Sequence, residues 1–211
     1  MAKYPIYLDL KDKKVVVIGA GSVAERKVKS LCSAGAKVLV VAKDIDQDFA
    51  KSCEQESVKA ISGSYSKEYL KGAVLAIAAT DDTFLNKQVY NDCHKLSVLC
   101  NVVDVPELCD FYVPAVVKRG DLQIAVSTDG SCPAYAVRLR KKLEEIFTED
   151  HARFITELKT AREKIIKRIS DIGKRKEILQ ELVNDRSFEC FVNQGPQAWQ
   201  RQLQELIEQH G

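Results

Sequence analysis

Uninterrupted apolar runs recur through the first half of this chain, at Val15–Ile18, Lys37–Ala42 after its leading lysine, and Ala73–Ala79. Each is short and lacks polar alternation, so each predicts a strand buried on both faces of a parallel sheet. Helical periodicity lies between them. Ala24, Val28, Leu31 and Cys32 fall at i, i+4, i+7 and i+8, one stripe of a helix that Gly35 ends. Residues 46–56 have the pattern of a polar-faced helix, 58–62 that of a further strand, and 65–70 that of a helix or turn. Asp81 or Asp82 is expected to cap a helix over 83–96, and 97–104 reads as a strand broken by Val105-Pro106. Short strands alternating with helices indicate βαβ units and an α/β fold.

The pattern changes at Phe111. Residues 111–117 and 122–126 flank a polar stretch, Lys118-Arg-Gly-Asp121, that suits a β-hairpin. Ser131 is expected to cap a helix with Pro133 in its first turn and an apolar stripe of Ala136, Leu139, Leu143 and Ile146. A hairpin and one amphipathic helix are too little to bury themselves, which fits a subunit interface. A helical tail follows, with a stripe of Phe154, Leu158, Ile165, Ile169 and Ile172, an end at Gly173, a solvated turn at 174–176 and a break at 193–196. His94, His151 and His210 lie in polar surroundings and are expected to be exposed.

Composition narrows the class. The 211 residues carry a net charge of +2, which gives no reason to expect nucleic acid or a membrane surface as partner. No apolar run approaches the ~20 residues of a membrane span. The amino terminus lacks the apolar core of a signal peptide, so the expected location is cytoplasmic. Seven cysteines without a CxxC pair then read as reduced, mostly buried thiols, and no metal site is expected.

The candidate chemistry begins at the first strand. Gly19-Ala-Gly21 follows it directly, and Ala24 stands where a third glycine would open the helix, giving a dinucleotide fingerprint. Gly19 allows the tight turn, Gly21 lets backbone N–H groups approach a pyrophosphate, and the anion sits at the positive end of the helix dipole. A tight βα turn without ligand is the bland alternative. At the second strand's tip Asp44 is placed for a ribose 2′-hydroxyl, while Lys43 beside it could face a 2′-phosphate; NAD is favoured over NADP. Thr80 is the better candidate for cofactor contact at the next edge. Asp104 falls at the same carboxyl edge, facing the crevice or capping the turn before Pro106. Arg138, Arg140, Lys141 and Lys142 are either carboxylate-binding or a solvated face paired with Glu144 and Glu145.

In order and spacing, GAGSVAERK, AIAATDD, NVVD, ELCDFYVPAVVKRGDLQIAVST and SCPAYAVRLRKKLEE resemble the precorrin-2 dehydrogenase family, which includes the amino-terminal half of siroheme synthase and its ferrochelatase relatives. The resemblance covers about residues 4–146 and implies NAD-dependent oxidation of precorrin-2 to sirohydrochlorin. The fold it implies is a Rossmann parallel sheet (1–112), a small α+β dimerisation segment (113–147) and a helical C-terminal domain (148–211) in a homodimer. It carries the catalytic aspartate onto Asp104, NAD contacts onto Ser22, Val23, Lys43 and Asp44, and a tetrapyrrole-facing hydroxyl onto Thr128; Arg138 is the basic candidate for the substrate's carboxylates. Partial burial would raise the Asp104 carboxyl toward neutrality, as a proton acceptor needs. A bifunctional dehydrogenase and ferrochelatase is the alternative within the enzyme class, and a nucleotide-sensing regulatory module the alternative outside it.

Overall fold

A computed structural model describes residues 3–210, the side chain of His210 excepted; the expectation for His210 therefore lies outside the described residues. The chain divides into two compact units, one reaching Val113 and one starting at Pro114.

The first unit is a five-stranded parallel sheet. Its strands are β1 (Lys14–Ile18), β2 (Lys37–Ala42), β3 (Lys59–Ser62), β4 (Ala73–Ala78) and β5 (Leu99–Val102), in the order β3-β2-β1-β4-β5. Both faces are covered, which is why the strands are continuously apolar. On one face Val15 and Val17 of β1 pack with Val38, Val40, Leu75 and Ile77 beneath α1 (Ser22–Ser33) and α2 (Gln47–Gln55). On the other, Val16 and Ile18 pack with Ala76, Ala78, Cys100 and Val102 beneath α3 (Thr83–Lys95). The strand order reverses between β1 and β4, the topological switch point at which open α/β sheets bind ligands.

Local signals explain the ends. Gly35, with φ +78°, follows the last turn of α1. The Asp82 carboxylate accepts the N–H groups of Phe84 (2.9 Å) and Leu85 (3.0 Å), so Asp82 is the cap of α3. The last strand is shorter than expected. Ser97 takes φ +56° and β5 closes at Val102, because residues 103–105 turn out of the sheet.

The second unit opens with a hairpin of β6 (Ala115–Arg119) and β7 (Leu122–Val126). Lys118 and Arg119 belong to the strand, and the loop is only Gly120-Asp121, with Gly120 at φ +57° as a type II′ turn requires. The strand begins at Ala115 because Phe111 is engaged earlier, its carbonyl accepting from Asn101 Nδ2 (2.8 Å). Helix α4 (Pro133–Ile146) is capped at Cys132, not Ser131. Asp129 (φ +53°) and Gly130 (φ +82°) fold the chain back, so that the Thr128 hydroxyl accepts the Cys132 N–H at 3.1 Å.

Helices α5 (Glu149–Arg168), α6 (Ile172–Leu182), α7 (Asp185–Gln194) and α8 (Pro196–His210) complete the unit. Gly173 does not end a helix. The break falls at Ile169–Asp171, where Asp171 caps α6 and the Arg175 side chain donates to the Ile169 carbonyl at 2.6 Å, closing the exposed end of α5. Residues 174–176 are therefore helical, and Ile172 is exposed and outside the stripe. Phe154, Phe191 and Trp199 meet edge to face or tilted at the centre. His151 is half-buried, not exposed, because its ring lies between Phe147 and Phe188 and its Nδ1 accepts the Thr148 N–H. His94 is exposed and pairs with Asp110 at 3.1 Å. Cys53, Cys93 and Cys100 are buried; hydrogen bonding with Cys93 and burial push the Cys100 thiol upward, away from reactivity.

Trp199 is fully buried, and its Nε1–H donates to Ser187 Oγ at 2.7 Å. Ser187→Ala strands that donor and is expected to cost the second unit about 1–3 kcal/mol. Denaturation followed by the fluorescence of Trp199, the chain's single tryptophan, checks this; an unchanged midpoint would mean that the indole finds another acceptor.

Candidate functional site

The carboxyl ends of β1, β2 and β4 open into a crevice of about 810 Å³. Its floor is the turn from β1 to α1. Gly19 has φ +115°, and a Cβ there would stand 2.2 Å from the carbonyl oxygen of Ala79, the residue that follows β4. Only glycine can make that turn against that neighbour. Gly21 is different. It has φ −83° as the cap of α1, and a Cβ on it would meet nothing within 4 Å. No protein contact requires glycine at 21; the open space of the crevice is what a side chain would fill. That is the expected signature of a close approach by a ligand backbone.

The site's electrostatics suit an anion. The first intrahelical bond of α1 is Glu25 N–H to the Gly21 carbonyl at 3.0 Å, so the N–H groups of Ser22 and Val23 precede the helical ladder and face the crevice. Glu25 in this first turn pairs with Lys29 at 2.7 Å, and that hydrogen bond holds its carboxyl below the ordinary range. Lys43 and Asp44 at the end of β2 are exposed and line the opening. The Lys43 carbonyl accepts from Ser62 Oγ (3.2 Å), and the Ala42 carbonyl accepts from Gly63 N–H (2.8 Å), which fixes this corner. Thr80 also lines the crevice. Its hydroxyl is committed locally, lying 2.8 Å from Asn86 Oδ1, while Asn86 Nδ2 donates to the Thr80 carbonyl at 2.8 Å. Thr80 thus locks β4 to α3.

Asp104 is placed otherwise than expected. It stands beyond β5, two strands along the same edge from β1, and is not among the residues that line the crevice. It adopts φ +61°, a left-handed conformation that aspartate tolerates. Its carboxylate does not cap the 3₁₀ turn at Pro106–Leu108, whose cap is Val105 with no side-chain bond. It is exposed. Val103, the residue before it, packs in the cluster that holds Ala24 and Val28 of α1. The Lys27 ammonium of the same helix is half-buried; burial and Arg26 lower its pKa, opposed by the nearby Cys109 and Asp104.

Thr128 and Arg138 belong to the second unit. Thr128 closes the turn before α4. Arg138 is exposed and has no ion-pair partner among the described residues, whereas Arg140 pairs with Glu144 at 2.5 Å, the intrahelical alternative for this basic face. Among the described residues no cluster of His, Cys, Asp and Glu could hold a metal ion, and no helix is long and apolar enough to cross a membrane.

One wall of the crevice, formed by Gly63–Tyr65 and by Phe84, Leu85 and Gln88 of α3, bears no sequence motif. Tyr65 is pinned by its hydroxyl, which donates to the buried Asp92 (3.3 Å); burial and that carboxylate push the phenol's pKa well above its ordinary value. Phe84 carries no motif; only its exposure on the rim singles it out.

Comparison with known proteins places these features. Residues 6–115 match a family profile described as putative NAD(P)-binding, and residues 119–146 match one described as sirohaem biosynthesis protein central. The chain is 31% identical over 211 residues to the siroheme synthase of Psychrobacter sp. (strain PRwf-1), covering all of this chain and 43% of that protein. It is 34% identical over 203 residues to the siroheme synthase of Photobacterium profundum, covering 96% of this chain and again 43% of the relative. It thus spans less than half the length of these relatives. Among solved structures it resembles "SirC, precorrin-2 dehydrogenase", with a TM-score of 0.79 and 26% identity over 98% of this chain and 100% of that one.

The two glycines separate folding from binding. Gly19→Ala is expected to destabilise the first unit by about 3 kcal/mol or more. Gly21→Ala should change stability by less than about 1 kcal/mol yet weaken NAD binding about ten-fold or more. Thermal melts and calorimetric titration of both variants check the split. Equal NAD affinity in Gly21→Ala would mean that no ligand backbone approaches residue 21.

Proposed function

The chain belongs to the precorrin-2 dehydrogenase family, an NAD(P)-binding family of sirohaem biosynthesis, and from that membership we propose that it oxidises precorrin-2 to sirohydrochlorin with NAD. The observation that carries the proposal is the correspondence, over nearly the whole of both chains, with a protein named as a precorrin-2 dehydrogenase. The open approach at Gly21 supports it, because a pyrophosphate needs that space.

The residues fit a dinucleotide. The N–H groups of Ser22 and Val23 hold the pyrophosphate at the positive end of α1. Asp44 accepts from the ribose hydroxyls and repels a 2′-phosphate, which favours NAD over NADP although Lys43 is adjacent. Bound NAD supplies a hydride acceptor. Oxidation of precorrin-2 removes one hydride and one proton, and Asp104 at the β5 edge takes the proton. Its exposed position calls for enclosure by the bound tetrapyrrole before it acts as a base. Arg138, an exposed guanidinium without a partner in its own helix, binds a substrate carboxylate, and Thr128 presents its hydroxyl near the start of the same helix.

A second copy of the chain completes the protein. Tyr135, Val137 and Ile146 of α4 are exposed, Ile146 by 61%, and Ala136 is the single buried residue of that helix. Val116 of β6, in the same unit, is exposed too. Of these, Tyr135 and Ile146 lie on one side of α4, three turns apart, and an exposed apolar strip of this kind fits a homodimer interface.

Anaerobic incubation with precorrin-2 and NAD should yield NADH and sirohydrochlorin in equal amounts, read by absorbance. Asp104→Asn should lower kcat at least about a hundred-fold while NAD affinity stays the same; no turnover by a wild-type chain that binds NAD would sink the assignment. In sedimentation the chain should run as a dimer, and Tyr135→Glu with Ile146→Glu should shift it to monomer; a wild-type monomer at micromolar concentration would defeat the second-copy proposal.

A further inference from the structure

Phe84 is 87% exposed, more than almost any other large apolar side chain among the described residues, and it lies on the rim of the crevice. It belongs to no buried cluster, whereas its neighbour Leu85 packs against the core beneath α3. Its backbone is nonetheless anchored. The Asp82 carboxylate caps its N–H, and the Thr80–Asn86 bonds tie the corner between β4 and α3. An aromatic ring left in water on an anchored helix start, at the rim of a crevice, calls for an occupant.

Gln88 stands one turn further along α3, on the same face as Phe84, and also lines the crevice. Its side-chain amide is exposed and makes no hydrogen bond among the described residues. A ring face with an amide beside it matches the needs of a purine base: stacking on the ring, and a paired donor and acceptor on the base edge.

The two other anchors of the crevice say where the base lies. With the pyrophosphate at Ser22–Val23 and the adenosine ribose at Asp44, the base continues beyond the ribose into the remaining wall, which α3 and residues 63–65 provide. Resting on the dinucleotide reading above, we propose that Phe84 and Gln88 form the adenine clamp of this crevice: Phe84 stacks on the base, and the Gln88 amide donates to a ring nitrogen while accepting from the 6-amino group. Guanine, with an oxygen in place of that amine, leaves the Gln88 carbonyl opposed by another acceptor.

Calorimetric titration of the full chain with NAD, AMP, nicotinamide mononucleotide and nicotinamide guanine dinucleotide tests this. Phe84→Ala, a surface substitution, should fold as wild type by circular dichroism. It should weaken AMP and NAD by the same factor, about ten-fold, and leave nicotinamide mononucleotide unchanged. Gln88→Ala should bring the affinities for NAD and the guanine dinucleotide several-fold closer together. If the wild-type chain binds NAD and AMP but Phe84→Ala binds them as tightly, or loses the mononucleotide instead, the clamp is overturned while the dinucleotide reading stands. An unchanged preference in Gln88→Ala would remove the amide's role. Binding of neither NAD nor AMP by the wild-type chain would overturn both.

Discussion

The contact on which the nucleotide-binding unit depends is the one between the backbone of Gly19 and the carbonyl of Ala79. At the switch point of the sheet, β1 and β4 run side by side, and the turn leaving β1 crosses the end of β4 with no room for a Cβ. That approach starts α1 at Ser22, above the sheet edge, where its free N–H groups face the crevice and not the core. A looser turn would lift the helix and blunt the anion site. The apolar runs of β1 and β4 follow from the same constraint, since both strands must lie inside the sheet for their ends to meet here.

Around that contact the crevice is built from short local locks. Asp82 caps α3, Thr80 and Asn86 close its corner, Ser62 and Gly63 hold the end of β2, and Tyr65 is anchored on Asp92. None spans more than a few residues or one neighbouring element, yet together they preorganise three walls before any ligand arrives. Preorganisation reduces the ordering that binding must otherwise supply. The groups left without a hydrogen bond among the described residues are therefore informative: the N–H groups of Ser22 and Val23, the Gln88 amide and the Asp104 carboxylate, with the exposed Phe84 ring. In the second unit the same division holds. At the centre of the bundle the Trp199 indole is satisfied by Ser187, whereas α4 leaves Tyr135, Ile146 and Arg138 open.

Much of the fold was legible from residue patterns because its signals are local. Continuous apolar runs mark strands covered on both faces, the stripe of Ala24, Val28 and Leu31 marks a helix on one of those faces, and Asp82 reads as a cap. The misplacements have equally local physical reasons. Ser131 lost the cap of α4 because Asp129 and Gly130 adopt left-handed backbone that brings the Thr128 hydroxyl to Cys132. Gly173 was tolerated inside α6 because the aspartate two residues before it caps that helix, and His151 was drawn inward by Phe147 one turn before it and by Phe188, distant in sequence.

The amino-acid sequence by itself determined the α/β architecture, the glycine turn and the family to which its motifs belong, since these rest on periodicity and on residues whose chemistry acts over a few positions. Tertiary structure alone decided that Gly19 is required by a neighbouring strand and Gly21 only by open space, because that distinction lies in what surrounds a missing Cβ. It also decided that Asp104 stands outside the crevice that the glycines line, and that Phe84 and Gln88 form one of that crevice's walls. The position of a strand end and the exposure of a ring depend on contacts across the sheet, and no pattern along the chain records them.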